Sequence, residues 1–246
     1  MKRPPYSEPE PEGSDTVEGV RVAKVRSNQD PENLGRVKLA FPWRDADDES
    51  YWARIATEMT GADYGTYFLP EVGDEVLVGF ENGDIHHPVV IGSLYSGQRK
   101  PPENNADGSN DIRKIETRSG HVVEFDDGDD GKVTIETDAG HEIVLDDESG
   151  SESVTIEDKS GNTVEMDAAE NTISLSADKE VSLEAPTISL SADTKVDISS
   201  DGKVEISGKG KTNVSSKGQL NLESNGLMGI SANGMLTIEG TLIRLN

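Results

Sequence analysis

Apolar residues in the second half of this chain come in pairs two positions apart, and the pairs return every eight residues. They are Ile173/Leu175, Val181/Leu183, Ile188/Leu190, Val196/Ile198, Val204/Ile206, Thr212/Val214, Leu220/Leu222, Met228/Ile230, Leu236/Ile238 and Ile243/Leu245. The step is eight except for seven into Ile188 and into Ile243. From Val204/Ile206 to Leu236/Ile238 a glycine leads each pair by two positions, at Gly202, Gly210, Gly218, Gly226 and Gly234. Residues two apart on a strand share a face, and the residue between them faces the other way. That intervening residue is polar at Glu205, Asn213, Asn221 and Thr237. Glycine tolerates the positive φ of a tight corner. Each octad therefore predicts one short strand and one corner, and the fixed period predicts a repeat rod.

Path length limits how the rod closes. Eight residues at about 3.3 Å each give roughly 26 Å of chain, or sides of about 9 Å if bent into a triangle. That is less than the roughly 10 Å between packed sheet faces, so one octad cannot enclose its own side chains. An octad is one side of a coil. Three octads of one chain would impose a modulation every 24 residues, and the sequence has none. Three chains supplying one side each keep every octad equivalent and satisfy closed symmetry. The expected core of such an intertwined trimer is the set of pairs above, without Thr212.

Upstream the pattern changes. Residues 1–16 are rich in Pro and Glu and predict an extended arm. Residues 17–102 hold short apolar runs broken by Gly, Pro and Asp, at 19–25, 35–40, 52–56, 75–80 and 89–91. Five such strands predict a small all-β barrel of the OB-fold type. An irregular stretch at 101–111 (PPENNADGSND) leads into a linker expected over 103–116. Over 117–169 a longer unit repeats. Ser119-Gly120-His121, Ala139-Gly140-His141 and Ser160-Gly161-Asn162 each open a strand, and second strands are expected at 132–136, 153–157 and 172–175. This region predicts a widened neck leading into the octads of 170–246.

Three stretches carry a resemblance: GRVKLAFPW (35–43), YWARIATEMTGADYGTYFLPEVGDEVLVGFENGD (51–84) and HPVVIGSLYSG (87–97). They resemble the OB domain of contractile-tail spike proteins, the family of phage baseplate assembly protein V and of VgrG in type VI secretion. The SGH repeats and octads resemble the β-helical needle of the same proteins. The resemblance implies a homotrimeric, membrane-piercing central spike at the baseplate of a contractile phage tail or extracellular injection particle, with the OB domains as a collar. It implies a structural protein, not an enzyme, assembled in the cytoplasm and working in the particle. Only a short arm precedes the OB domain here, so a separate hub protein is expected. The last apolar pair lies against the end of the sequence. An open strand edge there is a sticky template, so a PAAR-type tip protein is expected as a cap.

Charge and candidate chemistry refine this picture. The net charge is −25, and residues 103–169 hold 20 acids against 5 bases. Three copies would repel one another strongly unless salt screens them, which predicts a salt-adapted, halophilic source. The acidic balance opposes nucleic-acid binding, which needs a basic groove. Trp43, Trp52, Tyr64, Tyr67 and Phe68 are expected to pack the barrel or a subunit contact. There is no 18-residue apolar run and no hydrophobic leader, so neither a membrane span nor a signal peptide is expected. Cysteine is absent, which removes disulfides and thiolate sites.

Adjacent His86 and His87 make a poor chelate. His121 and His141 occupy a slot that holds Asn162 in the third unit, so turn chemistry is expected there in place of metal binding. The acidic run 126–131 lacks the spacing and distal Glu of an EF-hand and reads as a hairpin turn. No catalytic constellation, cofactor site or metal site is expected. Two other readings stay open: a passive trimeric fibre or adhesin, and a nucleic-acid-binding OB module with a solenoid tail.

Overall fold

A computed structural model describes residues 16–44 and 49–244. Most of the N-terminal arm, and Leu245 of the last apolar pair, lie outside the described residues. The chain divides into two compact units, the first ending at Ser182 and the second starting at Leu183. Apart from one 3-10 turn at Glu81–Gly83, every named element is a strand.

The barrel sheet runs β2-β1-β6-β7-β3. Its strands are β1 (Val20–Ser27), β2 (Lys38–Ala40), β3 (Arg54–Ile55), β6 (Glu75–Phe80) and β7 (Pro88–Leu94). They coincide with the five runs expected from the sequence. A small hairpin of β4 (Thr60–Gly61) and β5 (Tyr64–Gly65) stands apart. Reciprocal backbone hydrogen bonds between Val37 and Ala53, 3.0 and 2.8 Å long, join the chain entering β2 to the chain entering β3. The two ends of the sheet are thereby tied, and it curls around one core.

That core is small and aliphatic. Ala23, Val25, Val37, Leu39, Phe41, Ala53, Val76, Val78 and Val90 are each at most 3% exposed. Alternation along β6 puts Val76 and Val78 inside. Burying such residues removes their apolar surface from water and drives this unit's folding.

The loop between β1 and β2 is held by a carboxylate. Asp30 accepts two hydrogen bonds of 2.8 Å from the Arg36 guanidinium, and others from the backbone N–H groups of Glu32 and Leu34 at 3.1 Å. The guanidinium beside it, chiefly, holds the Asp30 carboxyl well below the usual carboxylate range. A depressed folded pKa adds stability above the unfolded value, and that stability is lost as pH falls toward the folded value. Asp30→Asn is therefore expected to lower the melting temperature at pH 7. The gap to wild type should shrink as pH falls below about 4. Equal melting curves at pH 7 would contradict the clamp.

Residues 112–176 form a seven-stranded antiparallel meander, in sequence order. Its strands are β8 (Ile112–Glu116), β9 (Val122–Asp126), β10 (Lys132–Glu136), β11 (Glu142–Asp146), β12 (Ser153–Glu157), β13 (Thr163–Asp167) and β14 (Thr172–Ser176). The stretch read as a linker thus ends in a strand, and the first octad strand pairs back onto the meander. Reversals at one end are the repeat turns. Gly120, Gly140 and Gly161 take φ of 92°, 82° and 82° there, the left-handed region open to glycine. At the other end Asp126, Asp146 and Asp167 accept hydrogen bonds of 2.8–2.9 Å from backbone N–H groups of Gly128, Glu148 and Glu170. The acidic run at 126–131 is accordingly a turn between β9 and β10.

Candidate interaction surface

The meander has one polar face and one apolar face. On the apolar face each strand from β9 to β14 contributes two residues: Val123/Phe125, Val133/Ile135, Ile143/Leu145, Val154/Ile156, Val164/Met166 and Ile173/Leu175. Ile115 adds one from β8. The register lines them up in two rows: Val123 faces Ile115 and Ile135, Ile143 faces Ile135 and Ile156, and Val164 faces Ile156 and Leu175. Phe125, Ile135, Leu145, Ile156 and Met166 remain 43–47% exposed. The barrel core shows what burial within one chain achieves; these rows fall far short of it. Contiguous apolar surface on this scale marks an interaction site.

The polar face carries ion pairs. Lys114 sits 3.2 Å from Glu116 and 3.3 Å from Glu124, and Lys132 lies 2.8 Å from Asp146. These partners raise the pKa of both lysines, Glu116 first for Lys114, and Lys132 lowers that of Asp146. The sheet therefore has a clear inside and outside.

The same two-residue unit runs on into the octads. Successive pairs from Val123 are 10, 10, 11, 10 and 9 residues apart, then eight with two steps of seven. Shortening the turn removes the residues needed to reverse the chain, and no strand is assigned from Ala177 to Arg244. The side chains expected in a core are consequently not buried within this chain. The first apolar residues of the pairs, Val181, Ile188, Val196, Val204, Leu220, Met228, Leu236 and Ile243, are 48–54% exposed. The second ones, Leu183, Leu190, Ile198, Ile206, Val214, Leu222, Ile230 and Ile238, are 61–78% exposed. Ile173 and Leu175 on β14, at the free edge of the meander, are open as well.

The physical reason is geometric. A chain that does not reverse brings no second layer over its own apolar side, so neither a ladder nor a core forms from one copy. Leu190, Ile198, Ile206, Val214 and Ile230 are therefore surface residues of the single chain, and a core role for them requires side chains from other copies. The narrow spread of exposure within each set shows that every octad presents the same unfilled face.

The other residues singled out by sequence take quieter roles. Tyr64 is 66% exposed, and Tyr67 and Phe68 are each 72% exposed, so they do not pack the barrel core. The aromatic residue inside is Phe41. Its position is legible in GRVKLAFPW, where Arg36 and Lys38 alternate with Val37, Leu39 and Phe41 and so set the last three on one face. Trp43 rests on Phe41 with ring centroids 5.2 Å apart and donates its indole N–H to the Val22 carbonyl at 3.2 Å. Lys38 lies 5.7 Å above the Trp52 ring. Tyr67 and Phe68 border a shallow depression of about 340 Å³ with Leu34, Ile55 and Ile91.

His121 Nδ1 accepts a hydrogen bond of 3.2 Å from the Asp138 backbone N–H. Asn162 Oδ1 does the same for Asp178 at 3.1 Å. One slot thus does one structural job with either residue. His87 Nδ1 lies 2.9 Å from Asp84. The His86 backbone N–H and the His87 ring hold the Asp84 carboxyl below its ordinary range. Among the described residues no group of three or more His, Cys, Asp or Glu side chains is placed to hold a metal ion. No helix among them is long and apolar enough to cross a membrane.

Residues 21–95 match the family of the type VI secretion system/phage-baseplate injector OB domain. Residues 132–221 match the phage baseplate V C-terminal trimerisation domain. The second match begins at β10 and reaches Asn221, so it takes in the last five strands of the meander and much of the octad tract. Among individual proteins, the chain is 33% identical over 138 residues to the type VI secretion system spike protein VgrG3 of Vibrio cholerae, covering 52% of this chain and 13% of that protein. It is 38% identical over 104 residues to the spike protein VgrG5 of Pseudomonas aeruginosa, covering 41% and 13%. To VgrG2a of the same species it is 34% identical over 94 residues, covering 35% and 11%. The chain spans about a tenth of the length of these relatives.

Proposed function

Because the chain belongs to the phage-baseplate and type VI injector spike family through both its OB domain and its trimerisation domain, we propose that three copies wind together as the central spike of a contractile tail or injection particle. The OB domains form the collar, residues 117–169 the neck and residues 170–246 the needle. The observation that carries this reading is the unfilled apolar face. Pairs from Val123/Phe125 to Leu236/Ile238 repeat without full burial in their own chain, and three chains fill that face symmetrically. In the trimer Leu190, Ile198, Ile206, Val214 and Ile230 pass from solvent to the shared interior. Turn glycines Gly202, Gly210, Gly218, Gly226 and Gly234 make the corners.

The work of such a spike is mechanical. A closed ladder without free lateral edges transmits the thrust of sheath contraction and perforates an envelope. It requires neither cofactor nor catalytic group. A separate hub protein joins the collar to the tail tube, and a PAAR-type protein covers the needle end. The spike resides in the virion or extracellular particle.

Sedimentation equilibrium of the purified chain in molar salt is expected to give three times the 26.4 kDa chain mass. Dilution to low salt is expected to shift the mass toward the monomer, because three chains of −25 then repel unscreened. A folded 26.4 kDa monomer in high salt would refute the needle. A trimer indifferent to salt would refute the halophilic reading.

A further inference from the structure

The octads carry a second column of side chains that the trimer does not use. The residue just before each apolar pair faces away from it, since neighbours on a strand alternate. From Lys195 that position reads Lys195, Lys203, Lys211, Gln219, Leu227, Met235 and Leu242. Lysine gives way to large apolar residues over the last three octads. Charge disappears with it: no Asp, Glu, Lys or Arg lies between Glu223 and Glu239, in a chain that is 29% charged. Exposure supports the outward assignment. Leu227 is 101% exposed and Met235 89%, whereas Met228 and Leu236 beside them are 50% and 52% exposed.

We infer that the outer surface of this uncharged stretch is a lipid-contact belt, in which Leu227 and Met235 enter the hydrocarbon of a bilayer. The inference rests on the trimeric-needle reading, which supplies three copies of the column. One octad step separates Leu227 from Met235, about 5 Å of rise, which fits inside a hydrocarbon core of about 30 Å. Hydrocarbon is favoured over a protein partner because outward positions from Ser224 to Ile238 are uncharged on every side, not on one patch alone. A bilayer penalises a charge at any of them. A closed ladder also turns no unpaired backbone group toward lipid.

Flotation of the full chain with phosphatidylcholine vesicles in molar salt tests this. Wild type is expected to float with the vesicles, and Leu227→Lys/Met235→Lys to lose at least about tenfold in bound fraction. Leu227→Met/Met235→Leu is expected to float like wild type. Sedimentation equilibrium on the same samples separates the two readings. A lysine variant that stays trimeric and stops floating supports the belt. A wild-type trimer that does not float, or a lysine variant that floats equally, overturns it; the first result would turn the column toward a protein collar. Loss of the trimer in the lysine variant would place the column inside and overturn it as well. A monomeric wild type would sink the needle and the belt with it.

Discussion

Leu222→Asp is expected to abolish assembly of the full chain while leaving the barrel folded. In the single chain Leu222 is 69% exposed, and an exposed substitution of this kind changes stability by no more than about 0.5 kcal/mol. In a trimer three carboxylates meet in a dry interior, and desolvating each costs several kcal/mol. The two readings therefore differ by a large factor at one residue. Sedimentation equilibrium should return the monomer mass for the variant under conditions where wild type is trimeric. Val204→Asp is expected to behave alike, because Val204 belongs to the same apolar column of octad pairs. A variant that keeps the wild-type mass would refute the inward assignment of the pairs.

Leu39→Ala acts on the other unit. Leu39 is fully buried on β2, and its backbone is fastened on both sides. Its N–H donates to Ser50 Oγ and its carbonyl accepts from Ser50 N–H, each at 2.9 Å. The backbone cannot readily collapse into the space left by the side chain, so a loss of about 2–5 kcal/mol is expected. Both tryptophans, Trp43 and Trp52, lie in the barrel region. Thermal unfolding followed by tryptophan emission therefore reports the barrel, while native mass reports the octads. Leu39→Ala should lower the first and spare the second. An unchanged emission transition would contradict the core described above.

Several features are legible because they are periodic or local. The five barrel strands follow from short apolar runs between Gly, Pro and Asp, and all five are present. The meander turns follow from the repeated Gly-His and Gly-Asn steps, whose glycines take positive φ. The hairpin at Thr60–Gly61 and Tyr64–Gly65 is not among the expected strands. Its signal is Gly61-Ala62-Asp63-Tyr64-Gly65, in which Asp63 adopts φ of 63°, but such a short hairpin carries no alternating apolar pattern. The aromatic residues are harder still. Tyr67 and Phe68 look like core residues by type, yet the interior is formed by small aliphatic residues with Leu39 and Phe41, and both aromatics are 72% exposed.

By itself the sequence determined the repeat unit, two apolar residues two positions apart, because a period survives wherever the chain is placed. The octad glycines are a different case: the chain bends at Gly202, Gly210, Gly218, Gly226 and Gly234, yet none of them takes the positive φ expected there. The phase of β1 was decided only by tertiary structure. In Val20-Arg21-Val22-Ala23-Lys24-Val25, valines and alanine stand at both parities, and pairing against β6 put Ala23 and Val25 inside while Val20 and Val22 stayed out. Barrel closure through Val37 and Ala53 was likewise settled in three dimensions, because two residues 16 apart in sequence meet only when the whole sheet curls. The unfilled face of the octads belongs to the same category. Periodicity says that Leu190, Ile198, Ile206, Val214 and Ile230 share a side, but only their exposure in the folded chain shows that one chain alone does not bury them.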